Sequence, residues 1–316
     1  MPVESVTSAQ NPKIKELLAL QEKSRLRRER GLVVVEGRRE LAHCIEAGFT
    51  VDTVFVCPAI YGDGAQFGKQ EFLPLSGNAS LTASPPADKP AAGARCREHS
   101  PEGVKHSAPC NAVPAAGNAA RTAAQPRIVE VTPELYDKIA YRGGTEGIIA
   151  EVRTRERTLD DLTLRPDPLI IVLESVEKPG NLGAVLRSAD AAGADAVIVC
   201  DPLTDLFNPN LIRASLGGIF TVPCVATDSA SAIAWLKERG IHILTAQLQD
   251  SVWYYDSDMT CGTAIVVGTE STGLTEQWRQ AADGHIRIPM LGKLDSLNAS
   301  VSAAILLFEA VRQRQA

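Results

Sequence analysis

The 316-residue sequence has few aromatic side chains, no cysteine pattern typical of a metal site, and no long apolar run. Its seven cysteines are scattered, without a C-x-x-C pair or a cysteine and histidine cluster at zinc spacing. We therefore expect no bound metal and a reducing compartment. The start, MPVESVTSAQNPKIKEL, has neither an apolar signal core nor a transit-peptide pattern, and no apolar run reaches membrane-spanning length. These features predict a soluble cytoplasmic protein with no membrane partner.

Charge is distributed unevenly along the chain. The net charge of −6 at pH 7 argues against general affinity for nucleic acid, yet residues 13–39 contain nine Lys or Arg against four Glu. Such a basic patch could grip phosphates, and a solvated helix face with i,i+4 ion pairs explains it equally well. Because only 5% of residues are aromatic, RNA recognition would depend on backbone shape more than on base stacking. The candidate RNA contacts are Lys13, Lys15, Arg25, Arg27, Arg28 and Arg38.

Length and composition predict two α/β domains. The first, residues 1–155, contains a segment at about 58–126 that is rich in Ala, Gly, Pro and Ser and is predicted to be flexible. Residues 156–167 form a polar linker to a second domain at 168–316. The strands predicted in the first domain are 32–36, 53–56, 128–131 and 147–152, and its helices are one starting at Asn11-Pro12, 38–47 and 133–139.

The second domain alternates regularly between strands and helices, which predicts a mainly parallel sheet covered on both faces. Its predicted strands are 169–173, 196–200, 221–225, 241–245, 264–267 and 285–288. Its predicted helices are 182–192, 209–216, 229–239, a short one near 275–282, and 301–311.

The loop after the first of these strands is rich in glycine but does not match a dinucleotide fingerprint. Gly180 and Gly183 break the G-x-G-x-x-G spacing. Asn181 begins the next helix, and Arg187 follows in a stretch of small apolar residues. Since an unpaired guanidinium is costly to bury, Arg187 either pairs with an acid or faces a cleft that binds an anion.

Two further loops carry unusual residues. In G-T-E-S-T-G, Gly268 would let a ligand approach the backbone, Gly273 allows a positive φ, and Glu270 belongs on the rim of the sheet. Ser296 and Asn298 precede the terminal helix, and either can cap it. Taken singly, each loop is also an ordinary turn or cap.

Together these loops resemble a known family. N-x-G-x-x-x-R, G-T-E-S-x-G and I-P-M-x-G-x-x-x-S-L-N are similar to the three motifs of the SpoU (TrmH-like) branch of the SPOUT RNA methyltransferases, over about residues 168–314. The N-terminal domain more weakly resembles the ribosomal-protein-like substrate-binding domain of several members. The resemblance implies an S-adenosylmethionine-dependent enzyme that methylates a ribose 2′-hydroxyl of ribosomal (23S-type) or transfer RNA. It also implies a deep trefoil knot and a homodimer with a shared active site.

The resemblance also implies roles for individual residues. Arg187 corresponds to the essential arginine of the family, and we expect it to clamp a phosphate or the developing alkoxide. The supporting polar residues are Asn181, Glu270, Ser296 and Asn298. The implied cofactor-binding residues are Ala246, Gln247, Gly268, Thr269, Ile288, Met290 and Leu297.

Two alternatives remain from other functional classes. A nucleotide-dependent oxidoreductase is disfavoured by the broken glycine spacing and by the S-L-N loop. An RNA-binding protein with a decayed methyltransferase fold would lack some of the motif residues, whereas Asn181, Arg187, Glu270 and Asn298 are all present.

Overall fold

The computed structural model describes residues 4–62, 125–141, 146–269 and 272–315. The chain divides into two compact units, one of residues 1–75 with 125–316 and one of residues 76–124. The second unit, and with it most of the segment predicted to be flexible, lies outside the described residues. The boundary between domains at 156–167 stays a prediction.

A five-stranded sheet forms from the N-terminal residues. Its strands are β1 (Glu4–Val6), β2 (Leu32–Glu36), β3 (Val51–Val56), β4 (Arg127–Val131) and β5 (Ile148–Arg153). The helices are α1 (Pro12–Glu22), α2 (Ser24–Arg30), α3 (Arg38–Glu46), α4 (Pro58–Tyr61) and α5 (Pro133–Ile139). The strand order is β1-β4-β3-β5-β2, in which β5 runs antiparallel to both of its neighbours. The predicted elements of this half are confirmed, with ends that shift by one or two residues.

Successive residues of a strand point to opposite faces of the sheet. In this sheet apolar residues pack on both faces. Val34 packs on one face with Ile14 and Leu17 of α1. Val33 and Val35 point to the other face and join a core that continues into the C-terminal half. The two halves of the described chain therefore share one apolar core.

A seven-stranded sheet forms the C-terminal half. Its strands are β6 (Leu169–Glu174), β7 (Ala196–Cys200), β8 (Cys224–Thr227), β9 (His242–Ala246), β10 (Val252–Trp253), β11 (Thr263–Val267) and β12 (Gly284–Arg287). The helices are α6 (Pro179–Ala191), α7 (Pro209–Ala214), α8 (Gly218–Thr221), α9 (Ser229–Glu238), α10 (Glu276–Ala281) and α11 (Ala299–Gln315). The order is β10-β12-β9-β11-β6-β7-β8, and every pair is parallel. The prediction of an α/β fold with a parallel sheet is confirmed.

Helices cover both faces of this sheet, which explains why its central strands are apolar throughout. On one face Ile171 packs in a core with Leu186 of α6 and Leu306 of α11. On the opposite face Val172 packs with Trp235 of α9 and Trp278 of α10. The carboxyl edge of the sheet, where its parallel strands end, carries the loops that follow several of these strands.

The sequence prediction was wrong at one strand and missed five short elements. Thr221 ends α8 rather than starting a strand, and the strand begins at Cys224. Pro223, which has no N–H, separates the two elements. The predictions did not include β1, α2, α4, α8 and β10, which have between two and seven residues. Elements this short show no periodicity, and they form because neighbouring strands and helices pair with them.

Candidate active site

The three loops singled out in the sequence lie at one edge of the C-terminal sheet. They follow β6, β11 and β12, and the loop after β9 joins them. Since β9, β11 and β6 are adjacent and parallel, their carboxyl ends meet at that edge. Open α/β sheets bind ligands at this edge. Loops that are distant in the sequence therefore converge at this edge in the described part of the chain.

A cavity of about 360 Å³ lies between these loops, and we call it the loop cavity. Its walls include all seven residues expected to bind a cofactor, namely Ala246, Gln247, Gly268, Thr269, Ile288, Met290 and Leu297. Ser296, Arg279 and Arg287 line it as well. The Oε1 atom of Gln247 and the Nε atom of Arg279 are buried and have no hydrogen-bond partner among the described residues. The loop cavity thus offers one acceptor and one cationic donor to a ligand.

The loop after β11 is held closed by its own backbone. Thr269 and Gly273 exchange two backbone hydrogen bonds of 3.2 and 3.1 Å, and Gly273 has a φ of +68°. A Cβ atom at Gly268 would lie 2.4 Å from the carbonyl carbon and oxygen of Gly273. Gly268 is therefore required by the returning loop itself, whereas the sequence had suggested the approach of a ligand. The prediction of a positive φ at Gly273 is confirmed.

A smaller cavity of about 120 Å³, the strand-end cavity, adjoins the loop cavity and shares Gly268, Thr269 and Ala299 with it. Asn181, in the first turn of α6, lines this cavity. Asn298 donates from Nδ2 to Oδ1 of Asn181 over 3.2 Å. This bond joins the first motif directly to the third.

Asn298 also caps α11, as the sequence allowed. Its Oδ1 accepts hydrogen bonds from the backbone N–H of Ser300 at 3.0 Å and from the Ser300 hydroxyl at 2.6 Å. Ser296 is exposed, and its hydroxyl donates to Oδ1 of Asp295 over 3.3 Å. One amide thus stabilises the start of α11 and touches the α6 motif.

Sequence reasoning missed Glu174, which is buried at the end of β6 and lines the strand-end cavity. Its carboxylate accepts bonds from the backbone N–H of Thr275 at 2.8 Å and from the Thr275 hydroxyl at 2.6 Å. Ser229, which accepts a bond from the Trp278 indole and donates to Asp201 over 2.6 Å, lies 3.4 Å from the same carboxylate. Glu174 thereby fixes the end of the loop after β11. An acidic residue that ends an apolar strand was the available signal.

One predicted catalytic residue, Arg187, does not join this cluster, and another lies outside the described residues. Glu270 lies outside the described residues. Arg187 is exposed on α6 and has no hydrogen bond or ion pair with a residue that the structure describes. It lies six residues beyond Asn181, about 9 Å along the helix and roughly 120° around it, and neither of the two cavities includes it. Pairing with an acid, one of the two expectations for Arg187, is not seen within the described ranges.

The six candidate RNA contacts differ in their surroundings. Lys13 pairs with Glu4, and Arg25 pairs with Glu29 at 2.7 Å. Arg38 donates to the carbonyl of Tyr61 and lies over its ring. Lys15 and Arg28 are exposed and make no ion pair to a described residue. Five of the six therefore remain candidates for RNA contacts, namely Lys13, Lys15, Arg25, Arg28 and Arg38.

Arg27 corrects the prediction for the basic patch. It is only 3% exposed, and its guanidinium pairs with Asp205 of the C-terminal half at 2.7 Å. It also donates to the carbonyls of Leu20 and Gln21 at 2.6 and 3.0 Å. Because these bonds use its donors inside the protein, Arg27 holds the two halves together and does not offer a free charge to RNA.

Comparison with known proteins finds similarity over both halves of the chain. Residues 168–308 match the model of the SpoU rRNA Methylase family, and residues 11–79 match that of the MRM3-like substrate binding domain. The 23S rRNA (guanosine-2′-O-)-methyltransferase RlmB of Vibrio vulnificus (strain CMCP6) is 38% identical over 193 residues, which cover 59% of this chain and 78% of that relative.

Solved structures are similar over nearly the full length. The crystal structure of an RNA 2′-O ribose methyltransferase has a TM-score of 0.71 at 33% identity and covers 99% of this chain and 100% of that one. An AdoMet-bound rRNA methyltransferase from Sinorhizobium meliloti has a TM-score of 0.75 at 25% identity and covers 98% of each chain.

Proposed function

Because the chain belongs to the SpoU rRNA methylase family, we propose that it transfers a methyl group from S-adenosylmethionine to a ribose 2′-hydroxyl of 23S-type ribosomal RNA. The observation that carries this proposal is the loop cavity, on whose walls all seven expected cofactor-binding residues meet. The relative from Vibrio vulnificus acts on 23S rRNA by its name, and the match to a substrate-binding domain supports an RNA substrate. A ribosomal RNA substrate supports a cytoplasmic location.

The loop cavity fits S-adenosylmethionine chemically. Gln247 leaves an acceptor and Arg279 a cationic donor buried without a protein partner in the described chain. An adenine amine and a carboxylate, which this cofactor carries at its two ends, satisfy such groups. When bound, the cofactor supplies an activated methyl group. The surrounding loops exclude water from it through Ile288, Met290 and Leu297.

The residues of the chain have to orient the ribose and stabilise negative charge on its oxygen. Asn181 and Asn298 lie together beside the strand-end cavity, where their amide groups can hold the sugar. Arg187 stays protonated in a protein and cannot act as a base. Its planar guanidinium suits a clamp on the 3′-phosphate or on the developing alkoxide. Glu270 and Ser296 complete the set of supporting polar groups.

A homodimer would complete this site. Leu291, Leu294, Val301 and Phe308, on the last loop and α11, are 96%, 75%, 46% and 47% exposed. Exposed apolar side chains concentrated in one segment of the chain are typical of an interaction surface. Arg187 lies away from both cavities of its own chain, which supports a site that a second subunit completes with its arginine. The dimer forms through this C-terminal surface.

The chain path supports a trefoil knot. The last loop leaves β12, which is separated from β11 by β9. It then returns to α11, which packs on α6 and β11. On this return it crosses the edge where the loop after β11 lies, and passage through that loop forms the knot. A knot would fix the walls of the loop cavity against one another.

Methyl transfer to defined RNAs tests the proposed function. Purified protein is incubated with tritiated S-adenosylmethionine and either an unmodified 23S rRNA transcript or unmodified tRNA. We expect label in the 23S transcript, within an alkali-resistant dinucleotide, because a 2′-O-methyl group blocks cleavage of the next phosphodiester. Label in alkali-sensitive nucleotides would contradict ribose methylation, and label in tRNA alone would contradict the ribosomal substrate.

A further inference from the structure

A third cavity, of about 450 Å³, lies where residues 154–157 connect the two sheets, and we call it the junction cavity. Half of the residues that line it are apolar, and two of these are aromatic. The apolar residues are Val33, Phe49, Pro202, Leu203, Leu206, Phe207, Ile219, Cys224 and Ala226. Cavities of this size with apolar walls and a few polar groups are typical of small-ligand sites.

The rim of the junction cavity is positive. Arg28, Arg155 and Arg157 line it, and none forms an ion pair with a residue that the structure describes. Arg157 donates a long hydrogen bond, of 3.4 Å, to the carbonyl of Val222. Burial and the charge of Arg155 lower the pKa of Arg157, so an anion bound between them would relieve a repulsion. These guanidinium groups have no ion-pair partner in the described chain, and they lie beside apolar side chains. Such a site suits an anionic ligand that also has an apolar part.

Acidic side chains offset only part of this charge, although the Asp161 carboxylate lies near enough to Arg155 and Arg157 to interact with both. Asp205 lines the cavity, but Arg27 already neutralises it at 2.7 Å. Glu156 also lies on this rim, where it is exposed and has no arginine partner in the described chain. Charge complementarity therefore favours a phosphate group over a cationic or neutral ligand.

The junction cavity lies next to the candidate active site. The backbone N–H of Leu203, in its wall, donates to the carbonyl of Val176 over 3.2 Å. Val176 lines the strand-end cavity together with Asn181. The loops after β7 and β6 thus connect the two cavities, so that one strand of RNA can reach both.

We propose that the junction cavity binds one unpaired nucleotide of the substrate RNA, a neighbour of the nucleotide whose ribose is methylated. Its base packs beside the half-buried ring of Phe207 and the exposed side chain of Leu203, and its phosphate lies between Arg155 and Arg157. Unpaired bases are commonly bound on aromatic side chains in this way. The inference rests on the proposed function, which supplies the RNA, and it identifies a place where that RNA is selected.

The charge requirement is tested with the full-length double variant Arg155→Gln/Arg157→Gln. With an unmodified 23S rRNA transcript we expect KM to rise about tenfold and the slope of log KM against log salt to fall by about one, since a phosphate contact is lost. The kcat value and the dissociation constant for S-adenosylmethionine should stay within twofold. The matched control is Lys237→Gln/Arg239→Gln, which removes two positive charges at the C-terminal end of α9, on the opposite face of the sheet. An equal rise of KM in the control would overturn the proposal.

The base is tested with Ala226→Trp, because Ala226 is an exposed residue that lines the cavity. We expect the added ring to fill the space and to raise KM for the transcript by about tenfold. A normal KM in this variant, with a raised KM in the double arginine variant, would place the arginine contact outside the cavity and overturn the proposal. Filter binding measures the affinity of both variants for the transcript independently of turnover. If wild-type protein binds the transcript through the cavity but transfers no methyl group, only the proposed function fails.

Discussion

The two halves of the molecule use polar groups in opposite ways. In the N-terminal half several charges at or near the core have ion-pair partners, such as the buried Arg27 with Asp205 at 2.7 Å and the largely buried Asp52 with Arg153 at 2.6 Å. At the carboxyl edge of the C-terminal sheet, Arg187 and buried atoms of Gln247 and Arg279 have none among the described residues. Partnered charges hold a fold together, whereas unpartnered groups at a sheet edge are available to a ligand. Sequence alone presents all these residues as equivalent.

Among the variants that test this contrast, we expect the largest change in the free energy of unfolding when Arg27 is removed. Arg27→Ala leaves Asp205 without its partner and leaves two carbonyls unsatisfied, so the free energy of unfolding should fall by about 3 kcal/mol. Urea denaturation followed by circular dichroism measures this loss. In the double variant Arg27→Met/Asp205→Leu the unpaired carboxylate is absent, and much of the stability should return. A loss below about 0.5 kcal/mol, typical of an exposed pair, would show that this contact does not hold the halves together.

Arg187 should behave in the opposite way. Arg187→Lys keeps the charge but loses the planar, two-pronged donor, and we expect kcat/KM for rRNA to fall about 100-fold with unchanged stability. Tritiated methyl transfer and thermal unfolding are measured on the same preparation. Arg213→Lys, at another exposed arginine near a helix end, is the control and should retain activity. Near-normal turnover by the Arg187 variant would exclude the clamp.

Much of the C-terminal site followed from the sequence because local rules determine it. Apolar strands that end in Gly, Asn or Ser place those residues at a known edge, and the loop cavity contains the residues expected there. Gly273 adopts the positive φ that its position in the turn predicts. The N-terminal basic patch was harder to interpret, since Arg27 differs from Arg28 only by facing Asp205, 178 residues away in the chain. A pairing that distant depends on the tertiary fold, and no local pattern announces it.

The same limit explains why Glu174 and the junction cavity were missed. Glu174 binds Thr275, 101 residues further along the chain. The junction cavity is formed by α2, residues 154–157 and the loop after β7. None of these segments carries a motif. Their chemistry is visible only after the two sheets have been brought together.

A third prediction concerns Glu151, a buried carboxyl in the N-terminal sheet that departs from the rule of partnered charges. Burial, with the nearby Glu16 carboxylate, raises its pKa from 4.5 to about 7. The folded protein therefore holds this proton more tightly than the unfolded chain, and stability falls as pH rises from about 4.5 to about 7. Glu151→Gln should increase the free energy of unfolding by about 2 kcal/mol at pH 8 and change it little at pH 4. Denaturation at the two pH values measures this difference, and equal effects at both would contradict it.

The smallest effect on stability, and the sharpest test of the contrast, is expected at Asn298, which serves both the fold and the site. Asn298→Ala removes the cap of α11 and should lower the free energy of unfolding by about 1 kcal/mol. Asn298→Asp keeps a good capping oxygen but loses the Nδ2 donor to Asn181, so stability should change by only a few tenths of a kcal/mol. If the Asn181–Asn298 bond orients the ribose, methyl transfer falls to a similar extent in both variants. Activity that followed stability, with the Asp variant near normal, would reduce Asn298 to a helix cap and leave Asn181 to act alone.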